Sequence, residues 1–245
     1  MRTERRLFLA DGPKAVEGAL GVPGCVTEVF ATPAATEQHP ALHRAASEVA
    51  PWTLVDDRAL GALSDSVTPA GVVAVCRPVD RPLAHVLDPA AGRQLVAVCV
   101  EVRDPGNAGT VVRTADAAGA DAVVLAGSSV DLYNPKTLRA SVGSVFHLPV
   151  AVEPDPADVV DAARAAGLTV LATAGSGDLD LHRADEVLAG PTAWLFGNEA
   201  HGLPDEVAAL ADHRVRIPIH GRAESLNLAT AAAVCLYESA RAHHR

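Results

Sequence analysis

Three polar residues near the carboxyl end of the chain stand where an apolar core has no use for them. Glu224, Ser225 and Asn227 lie in the stretch GRAESLNLATA, in the predicted first turn of a helix otherwise rich in Ala and Leu. Ser225 is a plausible helix cap, but Leu228 stands where a capping box has Glu or Gln. Asn227 has little reason to lie inside an apolar helix. The residues alone leave two interpretations open, a cap and a reactive site.

Two further segments place polar side chains directly after predicted strands. Asn107 and Arg113 lie in DPGNAGTVVRTADAAGA, and Glu199 lies in LFGNEAHGL. Asn107 and Glu199 are plausible helix caps, and Arg113 is a plausible surface residue whose stem covers apolar neighbours. The alternative is one site, in which Arg113 reaches into a cleft and Glu199 holds a substrate hydroxyl or amine. Both interpretations stay open at this point.

The elements that must position these residues alternate regularly between strand and helix. The strand-like apolar runs span 95–100, 122–126, 145–150, 169–173, 193–197 and 214–219. Several of the intervening helix-like stretches begin with Pro and end with Gly. The pattern predicts an α/β fold with a mostly parallel sheet and helices on both faces. Ligands of such a sheet bind beyond the carboxyl ends of its strands, where the polar segments lie.

The chain divides into two blocks joined by a segment rich in Pro and Arg. Residues 1–80 predict a smaller α/β domain, residues 81–94 a linker, and residues 95–245 the larger α/β domain. With 245 residues, 49% of them hydrophobic, the chain is long enough for two modest cores.

Composition argues against several classes of protein. The sequence has no apolar run of about eighteen residues and no signal-peptide pattern, so we expect a cytoplasmic protein without a membrane partner. The four cysteines are scattered and form no CxxC pair, which predicts neither a metal site nor a disulfide framework. The net charge of −10, taken alone, argues against a nucleic-acid partner.

The segment 104–120 also suggests a dinucleotide site, because a Gly-rich turn lies between a strand and a helix. Asp131 follows at about the offset expected for a residue that binds a ribose. The glycines, however, are Gly106 and Gly109, which do not form the G-x-G-x-x-G pattern. A nucleotide-dependent oxidoreductase is therefore a distant alternative.

Taken together and in order, the three polar segments resemble the motifs of the SPOUT superfamily, specifically its SpoU (TrmH)-type RNA ribose 2′-O-methyltransferases. Residues 107–113 resemble N-x-G-x-x-x-R, residues 196–203 resemble F-G-x-E-x-x-G-L, and residues 217–227 end in the family's S-L-N. The stretch 133–150 also matches, and the likeness covers about residues 95–240. Three motifs in this order and spacing are highly specific.

The N-terminal block resembles the small RNA substrate-binding domain that many family members carry, which is similar to a ribosomal-protein fold. FLADGPKAVEGAL resembles the start of that domain, and residues 64–75 resemble its exit. Two positions depart from the family pattern: Asp11 replaces a usual Glu, and Glu101 stands where relatives often have Asp. Neither departure falls on the expected chemistry.

The resemblance implies a C-terminal domain whose chain, from about residue 170 onward, forms a trefoil knot, against the general rule that chains do not knot. S-adenosylmethionine (AdoMet) is the implied cofactor, and no metal is implied. The implied cofactor-binding residues are Thr173, Ala174, Gly197, Asn198, Ile217, Pro218 and Leu226. The implied catalytic residues are Asn107, Arg113, Glu199, Ser225 and Asn227.

The implied reaction gives Arg113 a central role that two mechanisms explain. A ribose 2′-OH must lose its proton as the methyl group moves, so it needs a base and a group that stabilises the developing alkoxide. In one mechanism the substrate phosphate activates Arg113 as the base, although the pKa of arginine exceeds 12. In the other, Arg113 stays cationic and positions the phosphate, and water takes the proton. The sequence does not choose between them.

The implied partners are RNA and a second copy of the chain, with the active site shared across a homodimer. The candidate RNA-binding residues are Arg5, Lys14, Asn134, Lys136 and Arg139. The N-terminal domain favours rRNA of the 23S type over tRNA. The rival from another class is a knotted RNA-binding assembly factor without catalysis, which the intact polar motifs disfavour.

Overall fold

The N-terminal part of the chain folds around a four-stranded sheet. The structure is a computed structural model that describes residues 6–64, 66–92 and 94–244. The elements of this part are β1 (Phe8–Asp11), α1 (Pro13–Leu20), β2 (Val26–Ala31), α2 (Pro33–Gln38), α3 (Pro40–Ser47), β3 (Trp52–Leu54), α4 (Asp57–Leu63) and β4 (Val72–Cys76). In the order β1-β4-β2-β3, β4 runs antiparallel to both of its neighbours, and β2 runs parallel to β3.

The C-terminal part contains a seven-stranded sheet in the order β7-β6-β5-β10-β8-β11-β9. Its strands are β5 (Leu95–Val100), β6 (Ala122–Ala126), β7 (Val150–Glu153), β8 (Thr169–Thr173), β9 (Leu179–Asp180), β10 (Thr192–Phe196) and β11 (His213–Arg216). Its helices are α5 (Leu83–Val86), α6 (Pro105–Ala117), α7 (Pro135–Ser141), α8 (Pro156–Ala165), α9 (Asp185–Leu188), α10 (Asp205–Ala208) and α11 (Leu228–His243). Every strand pair recorded in this sheet is parallel.

The strand β5 shows why the fold needs helices on both faces of the sheet. All six of its residues are buried. Leu95, Ala97 and Cys99 belong to the core that contains α6 and α11, whereas its other three residues belong to the core that contains α5 and α8. A strand buried on both faces is apolar throughout, which explains the continuous run LVAVCV.

The predicted parallel sheet and most of its strands are confirmed. The runs 95–100, 122–126 and 169–173 are strands within the predicted bounds. The run 193–197 is shifted by one residue at β10, and the run 214–219 is shortened at β11. The prediction of a strand over 145–150 is wrong, since Ser144–Phe146 is a 3-10 turn and β7 begins only at Val150.

The physical reason for this difference lies in the turn before the run. Val142 and Gly143 both adopt left-handed backbone conformations, with φ of 51° and 93°, which end α7 and redirect the chain. Phe146 then packs against Phe8 of the N-terminal sheet, with 6.1 Å between the ring centroids. The apolar run therefore packs against the N-terminal sheet through Phe146 and does not form a strand.

The segment predicted as a linker, 81–94, is largely folded. It contains α5 and a 3-10 turn at Pro89–Ala91. Val86 and Leu87 are buried in the same core as Val96 and Val159. The segment thus covers part of the large sheet, and the domain boundaries at residues 80 and 95 stay a prediction.

Tyr133 joins the exit of the N-terminal sheet to the loop before α7. Its hydroxyl oxygen accepts hydrogen bonds from the backbone N–H groups of Val79, at 2.6 Å, and Asp80, at 2.8 Å, and its O–H donates to Asp80 Oδ1 at 2.5 Å. Its ring stacks on Phe8 with 4.4 Å between centroids. Burial, with the hydrogen bond to Asp80, raises the pKa of Tyr133 well above its usual range.

At two glycines in the C-terminal part, neighbouring backbone leaves no room for a side chain. A Cβ atom added at Gly197 would overlap the backbone of Gly202 and Leu203, and one added at Gly177 would overlap the backbone of Arg214 and Arg216.

Candidate functional site

The structure brings together three of the polar residues that the sequence analysis singled out. The side-chain amide of Asn107 donates to Glu199 Oε1 at 3.1 Å, and the amide of Asn227 donates to Asn107 Oδ1 at 3.1 Å. These residues come from the start of α6, the turn after β10 and the start of α11, all at the carboxyl edge of the sheet. The contact depends on tertiary folding, because 92 residues separate Asn107 from Glu199.

The backbone around Asn107 is fixed by its neighbours in the chain. Asp104 is the N-cap of α6, and its Oδ1 accepts the N–H of Asn107 at 2.8 Å. Asn107 is therefore not the cap, and its side chain is left to reach Glu199. Asp104 Oδ2 pairs with Lys136 at 3.0 Å. The hydrogen bond from Asn107, followed by the bond from Lys136, lowers the pKa of Asp104.

Asn227, and not Ser225, caps the last helix, which excludes one of the two interpretations of Ser225. Helix α11 begins at Leu228, with Asn227 as its N-cap, and Asn227 Oδ1 accepts from the N–H groups of Ala229 and Thr230. Its Nδ2 remains to bind Asn107. Glu224 and Ser225 lie before the helix in an irregular, exposed segment, so they line a cleft instead of a helical turn. An asparagine can serve both partners because its amide carries an acceptor and two donors.

The turn that carries Glu199 is held in shape by Asn198. Asn198 and Gly202 exchange two backbone hydrogen bonds of 2.8 Å, and the left-handed φ of Gly202, 71°, closes the turn. The side-chain amide of Asn198 donates to the backbone oxygen of Glu101 at 2.8 Å, and its Oδ1 accepts the N–H of Ala200. Glu199 therefore stands on a turn tied to the end of β5.

A cleft of about 310 Å³ opens beside this turn and the start of α11. Six of the seven residues predicted to bind the cofactor line this cleft, and they are Thr173, Ala174, Gly197, Asn198, Ile217 and Leu226. The seventh, Pro218, does not line it. Glu199 and Ser225, predicted to be catalytic, also line it. The cleft is also lined by residues to which the sequence assigned no cofactor-binding or catalytic role, which are Gly175, Ala200, Gly202, Val215, Ile219, Glu224, Leu228 and Ala231. Ile219 could have been predicted from Ile217, because residues two apart in an extended chain point to the same side.

The lining suits an elongated ligand with an apolar part and a positive charge. Ile219 is 38% and Leu226 36% exposed, although both are large and apolar, so a ligand has surface to cover there. The carboxylates of Glu199 and Glu224 line the same cleft and favour a cationic group. Backbone atoms can approach a ligand closely at Gly197 and Gly175.

Arg113 is not brought to this cleft within one chain. It lies on α6, about 9 Å along the helix axis from Asn107, and is exposed. Among the described residues it has no hydrogen-bond or ion-pair partner, and it does not line the cleft. Its catalytic role stays a prediction.

The candidate RNA-binding residues have different surroundings. Lys14 pairs with Glu17 at 2.8 Å, and Lys136 pairs with Asp104, while both lysines remain largely exposed. Asn134 is the N-cap of α7, accepting the N–H of Lys136. Arg139 is exposed at the end of α7. Arg5 lies outside the described residues, so the structure does not place it.

The described parts of the chain contain neither a cluster suited to a metal ion nor a helix suited to span a membrane. Within residues 6–64, 66–92 and 94–244, no three His, Cys, Asp or Glu side chains gather in a way that could hold a metal ion. None of the helices in those ranges has the length and apolarity needed to cross a membrane.

Comparisons with known families match almost the whole chain. The model of the SpoU rRNA Methylase family matches residues 94–237, which contain the large sheet and the cleft. The model described as RNA 2′-O ribose methyltransferase substrate binding matches residues 9–82. An N-terminal substrate-binding domain, expected from the resemblance, is thus confirmed.

Individual relatives agree with the family models. The 23S rRNA (guanosine(2553)-2′-O)-methyltransferase RlmP of Bacillus subtilis (strain 168) is 35% identical over 239 residues, which cover 96% of this chain and 89% of the relative.

Solved structures extend the likeness to the fold and the cofactor. The SpoU methyltransferase AviRb from Streptomyces viridochromogenes, in complex with AdoMet, has a TM-score of 0.85 and 33% identity, covering 98% of this chain and 92% of AviRb. An AdoMet-bound rRNA methyltransferase from Sinorhizobium meliloti has a TM-score of 0.83 and 35% identity, covering 98% and 89%. The expected SPOUT fold and AdoMet cofactor are confirmed, and the cleft's apolar wall and carboxylates fit AdoMet. The chain belongs to the SpoU family of AdoMet-dependent RNA ribose 2′-O-methyltransferases.

Proposed function

We propose that this enzyme methylates a ribose 2′-OH of 23S-type rRNA, with its chemistry centred on Asn107, Glu199 and Asn227. The observation that carries the proposal is the hydrogen-bonded line of these three side chains beside the cleft that fits AdoMet. Relatives named as 23S rRNA 2′-O-methyltransferases support the substrate class. The substrate-binding domain at residues 9–82 supports an RNA substrate.

In this proposal the line of polar side chains orients the ribose. Asn107 holds Glu199 through Oε1, which leaves Oε2 to accept a hydrogen bond from a ribose hydroxyl. Ser225, exposed on the cleft wall, supplies a further donor or acceptor near the same position. When bound, AdoMet supplies an electrophilic methyl group on a sulfonium. Holding the hydroxyl oxygen in line with that methyl group lowers the barrier by placement alone.

Arg113 completes the site from the partner protomer of a homodimer. The outer face of α11 carries Ala233, Val234 and Tyr237, and Tyr237 is 53% exposed. Helix α6, which carries Arg113, packs directly against α11, so one two-fold interface can cover both helices. This arrangement accounts for an exposed arginine without a described partner. Arg113 then either takes the proton of the 2′-OH or positions the phosphate while water takes it.

The shared site has a direct test, which is complementation between two inactive variants. Each shared site combines Asn107 of one protomer with Arg113 of the other. In a mixed dimer of Arg113→Ala and Asn107→Ala, both substitutions therefore fall in the same site, and the second site stays intact. Random mixing makes half of the dimers mixed, and activity should return to about a quarter of the wild-type value. Activity that stays at the level of the separate variants contradicts a shared site. Light scattering on the wild-type protein gives the oligomeric state independently.

The substrate is tested with methyl-labelled AdoMet and unmodified transcripts of 23S rRNA, with tRNA transcripts as the matched control. We expect label in 23S rRNA, and mapping of 2′-O-methyl groups then locates the nucleotide. Label in tRNA alone contradicts the proposed substrate. Calorimetry with AdoMet separates the enzyme from a non-catalytic RNA-binding assembly factor, which should give neither heat nor a thermal shift. A cytoplasmic location stays a prediction.

A further inference from the structure

A second cleft lies between the carboxyl ends of β5 and β10. It has a volume of about 700 Å³, within the range of ligand sites, and the residues that line it are Glu101, Arg103, Asn198, His201, Gly202, Pro204 and Glu206. Strand β6 lies on one side of β5 and β10 on the other, so the strand order reverses at this point. Open parallel sheets bind ligands at such a reversal.

The second cleft adjoins the cofactor cleft at the turn that carries Glu199. Asn198 and Gly202 line both clefts, and their paired backbone hydrogen bonds form the wall between them. A ribose held at Glu199 therefore lies at the boundary. The base of a nucleotide is joined to C1′, the carbon next to the C2′ that bears the reacting hydroxyl. With the methyl donor bound on one side of the turn, the base can enter the second cleft on the other side.

The charges in the second cleft favour a base over a phosphate. Glu101 and Glu206 supply two carboxylates against the one guanidinium of Arg103, which is paired with Glu101 at 3.1 Å. A phosphate is disfavoured by that balance. A nucleobase is neutral, presents N–H donors to carboxylates and has a flat face that stacks on a guanidinium or an imidazole. Arg103, 68% exposed, and the exposed His201 both offer such surfaces.

The floor of the cleft is built in advance of any ligand. Glu101 has a φ of 55°, a left-handed conformation that is unfavourable for a residue with a Cβ atom. In this conformation its backbone oxygen accepts from Asn198, and its carboxylate accepts the N–H of Ser128 at 2.8 Å. Backbone strain of this kind persists where the surroundings enforce it, and it clusters at ligand sites.

From these observations we propose that the second cleft binds the base of the nucleotide being methylated. The base, turned out of its stack, places its N–H donors toward Glu206 and its face on Arg103 or His201. The inference rests on the proposed function and adds to it the subsite that reads the target base.

Photocrosslinking tests the location. Once the methylated nucleotide is mapped, a transcript carrying a photoreactive analogue of that base is irradiated with the wild-type protein and AdoMet. We expect the crosslinked peptides to contain residues 101–103 or 201–206. Crosslinks from this nucleotide to other peptides only would overturn the proposal.

Variants test the role of the cleft with a readout besides total activity. Glu206→Gln and His201→Ala should raise the KM for the rRNA tenfold or more, while the Kd for AdoMet by calorimetry changes less than twofold. The matched control, Glu186→Gln, removes an exposed carboxylate on α9 and should leave both values unchanged. Equal KM values for wild type, Glu206→Gln and His201→Ala contradict the proposal.

An abasic substrate separates this proposal from the proposed function. Wild type should lose at least tenfold in kcat/KM when the target nucleotide lacks its base, and Glu206→Gln should lose clearly less, because it has already lost the contact. Equal losses in the two proteins contradict the base site. If wild type methylates no rRNA at all, the proposed function has failed first, and that result appears before any variant is compared.

Discussion

Asn107 and Asn227 lie 120 residues apart in the chain and share a hydrogen bond of 3.1 Å. The bond joins the first turns of α6 and α11, and Asn107 continues it to Glu199. Asn227 also caps α11 with the other end of its amide. Helix stability and site geometry are therefore coupled through one side chain, and substitutions can separate the two.

Asn227→Ala should lose both the helix cap and the hydrogen bond to Asn107, whereas Asn227→Ser should lose only the hydrogen bond. Removal of the cap lowers the free energy of unfolding by about 1 kcal/mol, which serine largely restores as an N-cap. Both variants lose the bond to Asn107, so methyl transfer should fall at least tenfold in both. Denaturant unfolding and initial rates measure the two effects. Wild-type activity in the serine variant contradicts the role of the bond.

Arg113→Ala should abolish methylation while AdoMet still binds. The side chain is exposed and has no described partner within the chain, so its loss should not disturb the fold. Initial rates and AdoMet calorimetry on the same preparation check this expectation. Arg183→Ala, at another exposed arginine, is the control. Activity within about threefold of wild type would refute the catalytic role of Arg113.

Gly197→Ala should weaken AdoMet binding at least tenfold and lower the melting temperature. The added methyl group overlaps the backbone of Gly202 and Leu203, which the Asn198 bridge holds in place. Gly61→Ala is the matched control, because its Cβ meets open space in helix α4 and should stabilise the helix by about 0.5–1 kcal/mol. Calorimetry and thermal unfolding on both variants decide the matter. An unchanged melting temperature and AdoMet affinity in Gly197→Ala would contradict the close backbone contact at Gly197.

Tyr133→Phe should lower the free energy of unfolding by about 1–3 kcal/mol, because two half-buried backbone N–H groups lose their acceptor. Ser47→Ala, which removes an exposed hydroxyl at the end of α3, should change it by less than about 0.5 kcal/mol. Equal effects of the two substitutions would argue against the hydroxyl's role at the junction.

The contribution of Tyr133 should also depend on pH. Because folding raises the pKa of its phenol, the folded state holds this proton more tightly than the unfolded state does. Its contribution is fully present below the unfolded pKa of about 10 and is lost as the pH rises above it. The stability difference between wild type and Tyr133→Phe should therefore shrink above pH 10, as measured by denaturant unfolding from pH 8 to 11. A difference that stays constant over this range contradicts the prediction.

The sequence predicts the sheet and the convergence of the polar segments for a physical reason. Parallel strands end at one edge, so Asn107 and Glu199, each following a strand, had to approach each other. The sequence left the role of Ser225 open, and the structure places the cap of α11 two residues later, at Asn227. Serine and asparagine are both good caps, so local preference does not distinguish them. The pairing of Lys136 with Asp104 joins two helices, and no local pattern reports it.

Other differences came from contacts between distant parts of the chain. The run 145–150 has the composition of a strand, yet the left-handed Val142 and Gly143 turn it toward Phe8. Arg113 stands in the expected motif, but a motif gives a position along the chain and not where the side chain lies, and within one chain Arg113 does not line the cleft. The second cleft has no motif, since its walls come from the ends of two separate strands.

Val86 and Leu87 make the passage from the small sheet to the large one part of the protein's interior. A segment packed in this way does not act as a flexible linker. The substrate-binding domain and the cleft are therefore joined by folded chain, and we expect the distance between them to be fixed. On that expectation, an RNA is methylated when its own folded shape can reach both at once.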